Sequence, residues 1–323
     1  MKGFVLGLFA LPLLAASFLW ALVTQPFVSA LPSVPPAVDA WSLERHVRIL
    51  SEQLHPRSAA DPKKLDAAAH YVRAQLAASG AHISEQTYDA DDIEARNIIA
   101  RFGPADGERV VVGAHYDSHL NTPGADDNAS GVAGLIELAR LLAKAELKRP
   151  VELVAYTLEE PPYFRTAEMG SAQHARALKE RGVPVRLMLS LEMLGFYSDA
   201  AGSQKYPVSA LQWVYPSRGN FIGVIGRFND MAQTRRVKAA MAGATSLPVV
   251  SMNAPPLLAG VDFSDHLNYW DEGYPALMIT DTSFYRNPHY HQASDTADKL
   301  DYRRMAQAVQ AVYAAVLAVA NGD

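Results

Sequence analysis

Apolar positions along the chain fall into two kinds of run, and their spacing predicts an alternation of strands and helices. Leu65, Ala68, Ala69, Val72 and Leu76 recur at the three-to-four-residue interval of one helical face and stop at Gly80, which reads as an amphipathic helix with a glycine end. Short runs rich in Val and Ile cover residues 97–101, 109–113, 151–157, 186–191, 221–226 and 276–280, as strands buried on both faces should. Helical patterns separate several of them, most clearly at 131–144, 170–181, 230–241 and 301–320. This order predicts a single α/β domain with a mixed, mostly parallel central sheet flanked by helices. The Tyr-, Ser- and Gly-rich span 196–219 is the expected irregular region. Ligands of such sheets bind at the carboxyl ends of the strands, so chemistry is expected there.

The N-terminal region differs in kind, because no charged side chain lies between Lys2 and Asp39. Residues 3–23 are apolar on every face, and as a helix they would span about 31 Å, close to the hydrocarbon thickness of a bilayer. Residues 1–24 are therefore expected to be an uncleaved membrane anchor or a signal peptide, 25–40 a Pro-rich tether and 41–323 the folded domain. Lys2 on the short side favours a translocated domain, exported and either membrane-anchored or released. The small residues Val28-Ser29-Ala30 resemble a cleavage site, but the apolar run is longer than a usual signal core, which favours the anchor. A buried core helix is the weaker reading, since the run lacks a polar face.

Composition narrows the chemistry. A chain of 323 residues with 49% hydrophobic content can bury one large core. Its formal net charge of -5, with both signs interspersed, offers no basic stripe for nucleic acid. There are no cysteines, so any metal must be held by His, Asp and Glu.

Such side chains cluster where strands are expected to end. The run at 109–113 leads into Ala114-His115-Tyr116-Asp117-Ser118, followed by the turn Gly124-Ala125-Asp126-Asp127-Asn128-Ala129-Ser130-Gly131. The run at 151–157 leads to Glu159-Glu160, the run at 186–191 to Glu192, and a late loop carries His291 and Asp295-Thr296. Taken singly, each has a plain explanation: a satisfied polar histidine, a helix-capping acid, a solvated acidic pair. Two acids that end an apolar strand and abut Pro161-Pro162 fit a surface pair poorly, and the set as a whole is zinc chemistry without thiolates.

These motifs, in this order, resemble the M28 family of zinc peptidases over about residues 41–320. The resemblance implies two zinc ions per chain, one held by His115 and Glu192, the other by Glu160 and His291, with Asp127 bridging. It further implies Glu159 as the catalytic general base and Asp117 as the partner that fixes the His115 tautomer. Four positive charges would then face three carboxylates, leaving room for a bridging hydroxide. Asp126 reads equally as a turn residue, and His289 is the rival of His291. Ser264-Asp265-His266 resembles a stretch common in the family, yet a helix N-cap explains it as well, so no chemistry is assigned to it. Asn128-Ala129-Ser130 matches a glycosylation sequon but reads better as part of the metal turn.

Two departures stand out. Glu192 takes a place where many aminopeptidases have Asp, and Pro161-Pro162-Tyr163-Phe164 suggests an extended exit bordering the substrate pocket. The expected activity is an aminopeptidase acting on peptides. A glutaminyl-cyclase-like acyltransferase, a carboxypeptidase or other amidohydrolase, and a non-catalytic binding protein are the alternatives. His115 argues against the first of these, because such cyclases normally lack that histidine, and the complete ligand set argues against the last.

Overall fold

The computed structural model describes residues 14–322. Among these, eight strands form one sheet: β1 His82–Ala90, β2 Ile93–Phe102, β3 Arg109–His115, β4 Val151–Tyr156, β5 Val185–Glu192, β6 Ile222–Gly226, β7 Val249–Asn253 and β8 Ala276–Thr280. Their order is β1-β2-β4-β3-β5-β8-β6-β7. The central β4-β3-β5-β8 pairs are parallel, as is β6 with β7, while β1-β2-β4 and β6-β8 are antiparallel. The mixed, mostly parallel sheet expected from the sequence is the one observed.

Seven labelled helices cover the sheet: α1 Ala40–Arg48, α2 Pro62–Ala77, α3 Gly131–Leu142, α4 Gly170–Glu180, α5 Met231–Ala244, α6 His266–Asp271 and α7 Tyr302–Asn321. The strand pleat divides the core in two. Val110, Val112, Ala114, Leu187, Leu189 and Leu191 pack with α1, α2, α3, α5 and α7, whereas Val111, Val185 and Met188 pack with α4 and α6. Burial on both faces is why these strands read as unbroken apolar runs. Asp39, Asp61 and Asp301 cap α1, α2 and α7 by accepting from Trp41 N, Lys64 N and Arg304 N at 3.0, 3.2 and 3.0 Å.

Four elements escaped the sequence pattern, α1 at the start of the folded domain among them. β1 pairs on one side only and its burial alternates, so it carries His, Ser, Glu and Gln rather than an apolar run. β7 is also an edge, and α6 is a single short helix of six residues. The Pro161-Pro162 segment is not extended: Tyr163 N donates to Glu160 O at 3.0 Å and Thr166 N to Tyr163 O at 2.9 Å, so the chain closes into turns there.

Residues 14–24 are helical, and among the described residues no helix is long and apolar enough to cross a membrane. Residues 1–13 of the expected anchor lie outside the described residues. The Pro-rich stretch that follows is bonded to the body. Leu31 N donates to Ala239 O at 2.9 Å and Ser33 N to Gly243 O at 3.1 Å, and a side chain at Gly243 would collide with the Leu31 carbonyl.

Candidate active site

Three parallel strands deliver the site. β3 ends at His115, β5 ends at Glu192, and the segment after β4 places Glu159 and Glu160 beside them. The turn before α3 brings Asp127, and a loop before α7 brings His291. Residues far apart in sequence therefore meet at one end of the sheet.

Asp127 stands between two groups. Its Oδ1 lies 3.4 Å from His115 Nε2, which is itself 3.5 Å from Glu192 Oε2. Its Oδ2 lies 3.2 Å from His291 Nε2, which is 3.2 Å from Glu160 Oε2. A tetrahedral zinc with bonds of about 2.0–2.1 Å holds its ligand atoms about 3.3–3.4 Å apart, so these separations are the edges of such polyhedra. The donor set fits in a second way: the buried His291 Nε2 and Glu160 Oε1 make no hydrogen bond within the protein, although both are surrounded by polar atoms. All five metal residues expected from the sequence are brought together.

Sequence reasoning missed His119. Its ring stacks on that of His291 with centroids 3.8 Å apart and planes 7° apart, and its Nδ1 lies 3.4 Å from Glu160 Oε2. Ligand atoms of His119, Glu160 and His291 all fall within 4.8 Å of one another. Parallel rings cannot both aim a lone pair at one cation, and with Asp127 Oδ2 3.2 Å from its Nε2, His291 is the better placed of the two to share one with Asp127. On its other face His291 is covered by Tyr290, again at 3.8 Å, so the imidazole is clamped between two rings. The position of His119, four residues after His115 in the same loop, was the available signal.

The surrounding contacts aim these side chains. Asp117 accepts from Glu159 N at 3.1 Å and Glu160 N at 3.0 Å, while its Oδ1 lies 3.4 Å from His115 Nδ1, long for a hydrogen bond. It therefore fixes the Glu159-Glu160 backbone more firmly than the histidine tautomer. Asp295 accepts from Asp126 N at 3.0 Å and Asp127 N at 3.1 Å, which holds the turn that aims Asp127. Asp126 is a turn residue, accepting from Gly195 N at 2.9 Å and Asn287 Nδ2 at 2.7 Å. Asn128 is fully buried with its Nδ2 on Leu191 O at 2.8 Å, which leaves no place for a glycan. His289 bonds Ser294 at 2.9 Å, outside both groups.

Two supports were not legible beforehand. Arg57 is fully buried and donates to the carbonyls of Tyr116, Leu50, Pro123 and Gly124 at 2.7–2.9 Å, tying the β3 loop to the metal turn. Burial pushes its guanidinium down to about 10, opposed by the nearby carboxylates, so it stays charged at neutral pH. Gly124 has φ +59, and a side chain there would strike Asp127 O and the Arg57 guanidinium. Ser264 is the second support. Its hydroxyl donates to Glu192 Oε2 at 2.6 Å, so the Ser264-Asp265-His266 stretch contributes to the site and caps nothing.

The electrostatics favour cations. Burial would depress the His291 imidazole, yet Asp127 and Glu160 overcome this and lift it to about 10. Burial raises the Glu159 carboxyl well above its ordinary range, assisted by Glu192 and Glu160 and opposed by His115. Beside the acids opens a cavity of about 210 Å³, lined by Phe164, Ile225, Met252, Val261, Phe263 and Met278 among others. Drug-sized sites run to about 300–1,000 Å³, so this one is small, and those walls are apolar.

Comparison with known proteins agrees. The model of peptidase family M28 matches residues 97–316. The uncharacterized protein YfbL of Escherichia coli K12 is 51% identical over 89% of this chain and 91% of its own length. Leucine aminopeptidase 1 of Blastomyces gilchristii is 27% identical over 65% of this chain, which spans about half of that protein's length, 52%. Among solved structures, the Legionella pneumophila LapA aminopeptidase superposes with a TM-score of 0.70 at 21% identity, covering 88% of this chain and 72% of that one. A Bacteroides thetaiotaomicron glutaminyl cyclase superposes at 0.66 with 21% identity, covering 88% and 99%. Likenesses of that order report the shared fold.

Proposed function

The chain belongs to peptidase family M28, and from that premise we propose that this metallopeptidase is a two-zinc aminopeptidase removing apolar N-terminal residues from peptides. The observation that carries the reading is the position of Asp127, one carboxylate oxygen toward His115 and Glu192, the other toward His291 and Glu160. His115, Asp127 and Glu192 would hold one ion; Glu160, His291 and the same Asp127 would hold the other. Two zinc ions bound there would polarise the scissile carbonyl and lower the pKa of a shared water.

The remaining steps belong to the protein. Glu159, with its Oε2 3.9 Å from His115 Nε2, lies at the cavity wall among the ligands. It takes a proton from the attacking water and returns it to the leaving amine, a role suited to a carboxyl whose proton affinity burial has raised. The apolar cavity receives the side chain of the first residue, and its small volume favours an exopeptidase over an enzyme that grips a long peptide.

A panel of aminoacyl and N-blocked substrates tests this. Release of a free N-terminal residue from unblocked substrates only is the expected result. Cleavage of blocked substrates, or cyclisation of N-terminal glutamine instead of hydrolysis, overturns the aminopeptidase reading.

We also read residues 1–24 as an uncleaved anchor, 25–40 as the tether and 41–323 as the domain, exported to the outer side of the membrane. The uncharged apolar run 3–23 supports this, together with the exposure of Leu14, Phe18 and Leu19 on the helical part of it. Retention of the chain in alkali-washed membranes is expected, and its recovery in the wash would refute the anchor.

A further inference from the structure

The cavity beside the acids is unevenly charged. Asp127, Glu159, Glu160 and Glu192 line one part of its wall, and among the described residues Lys205 is the one Lys or Arg that lines it. Lys205 is exposed and forms no ion pair among the described residues. The stretches around it hold no counter-charge in sequence, since residues 200–226, 245–261 and 282–290 contain neither Asp nor Glu. A cation placed in an acid-free rim, facing an apolar cavity, is set apart from the interspersed charges of the rest of the chain.

The backbone that carries Lys205 is fixed to the site by a short series of contacts. Glu192 pairs with Thr280 in the β5-β8 register. Thr280 Oγ1 accepts from Thr282 N at 2.9 Å, and Thr282 Oγ1 accepts from Gln204 Nε2 at 2.9 Å. Gln204 is buried, and its Oε1 accepts from Arg286 Nε at 3.0 Å. Lys205 N then donates to Tyr285 O at 2.7 Å. The irregular span 196–219 is thereby pinned where it brings Lys205 past the end of β8. Neighbouring strands lie about 4.8 Å apart and an extended peptide advances about 3.3–3.6 Å per residue, so two or three residues lead from the acids to the flexible arm of Lys205.

We infer that Lys205 receives the free α-carboxylate of a short peptide whose first peptide bond lies among the acids, which makes dipeptides and tripeptides the substrate class of this cavity. The inference rests on the aminopeptidase reading above. The apolar walls take the side chain of the first residue, and Lys205 reads where the peptide ends. A C-terminal amide places a neutral group at the same point and loses the ion pair. At a rim this open, the pair changes affinity by about threefold to fivefold.

Steady-state kinetics of the full-length protein on Leu-Gly, Leu-Gly-Gly and their C-terminal amides tests this. In the wild type KM should be about threefold to fivefold lower for the free acids than for the amides, and the advantage should shrink as salt is raised. K205M should bring the ratio to about one, and K205R should keep it. Equal KM values for acids and amides in the wild type overturn the inference, as does a preference for the acids that survives in K205M. Calorimetric titration of E159Q with the same four peptides repeats the comparison without turnover. A wild type that hydrolyses none of them therefore overturns the aminopeptidase reading, while equal affinity of E159Q for acids and amides overturns the role of Lys205.

Discussion

Ser264 Oγ donates to Glu192 Oε2 at 2.6 Å, and Ser190 Oγ lies 2.7 Å from Ser264 Oγ, so one carboxylate oxygen of Glu192 is held by a chain of two hydroxyls. A hydrogen bond this short to a carboxylate is a strong one, and it fixes the rotamer of a side chain longer than the usual Asp. Removing it should loosen one ion and spare the other. We expect S264A to weaken metal binding at the His115 side by about 10–100-fold, the usual effect of losing such a support, in a calorimetric titration of the metal-free protein. Unchanged affinity would show that Glu192 needs no such fixing.

E159Q keeps the volume and the buried position of the side chain but cannot accept the water's proton. It should retain both metals and lose kcat by roughly two or more orders of magnitude, with KM little changed. Near-normal turnover would move the base elsewhere.

Much of this site was legible because its side chains sit where strands stop. His115, Glu192 and the Glu159-Glu160 pair each follow an apolar run, and Asp127 and His291 lie in loops rich in turn residues, so the pattern and the chemistry coincide. Arg57 was hidden, since its four partners are backbone carbonyls that leave no side-chain signature. His119 was hidden because it acts by stacking on a residue distant in sequence. The same reason covers β1: an edge strand needs no apolar run, so periodicity is silent about it.

R57L would strand four carbonyls among carboxylates without their cation. Loss of a buried charge of this kind costs about 3–5 kcal/mol, which urea denaturation should register, with R57K intermediate. A loss below about 1 kcal/mol would mean that the loops around Asp127 stand without the guanidinium.

Acid should destabilise the fold through its buried histidines. Burial pushes His46, His174 and His266 each down to about 4, against 6.5 in an unfolded chain. Between those values the unfolded state binds protons that the folded state refuses, so this stability is present above pH 6.5 and lost as pH falls toward 4. Each histidine contributes about 1.4 kcal/mol per pH unit inside the window. Burial shifts Asp281 and Asp295 up, to about 6 and about 8, which acts in the opposite sense, so the difference between wild type and H174Q isolates one group. His174 lies in α4, bonded to Tyr269 at 2.6 Å. Its replacement should flatten the pH dependence of Tm between 4 and 6.5 by about one proton's worth. Parallel curves would mean that His174 is protonated in the fold.

The central claim is that Asp127 joins two cation sites, and metal content measures it most directly. Zinc per chain in the purified protein should be close to two by elemental analysis, and D127A should lose zinc from both sites while remaining folded by circular dichroism. A wild-type content of one or none, or a D127A protein that keeps both ions, would contradict it.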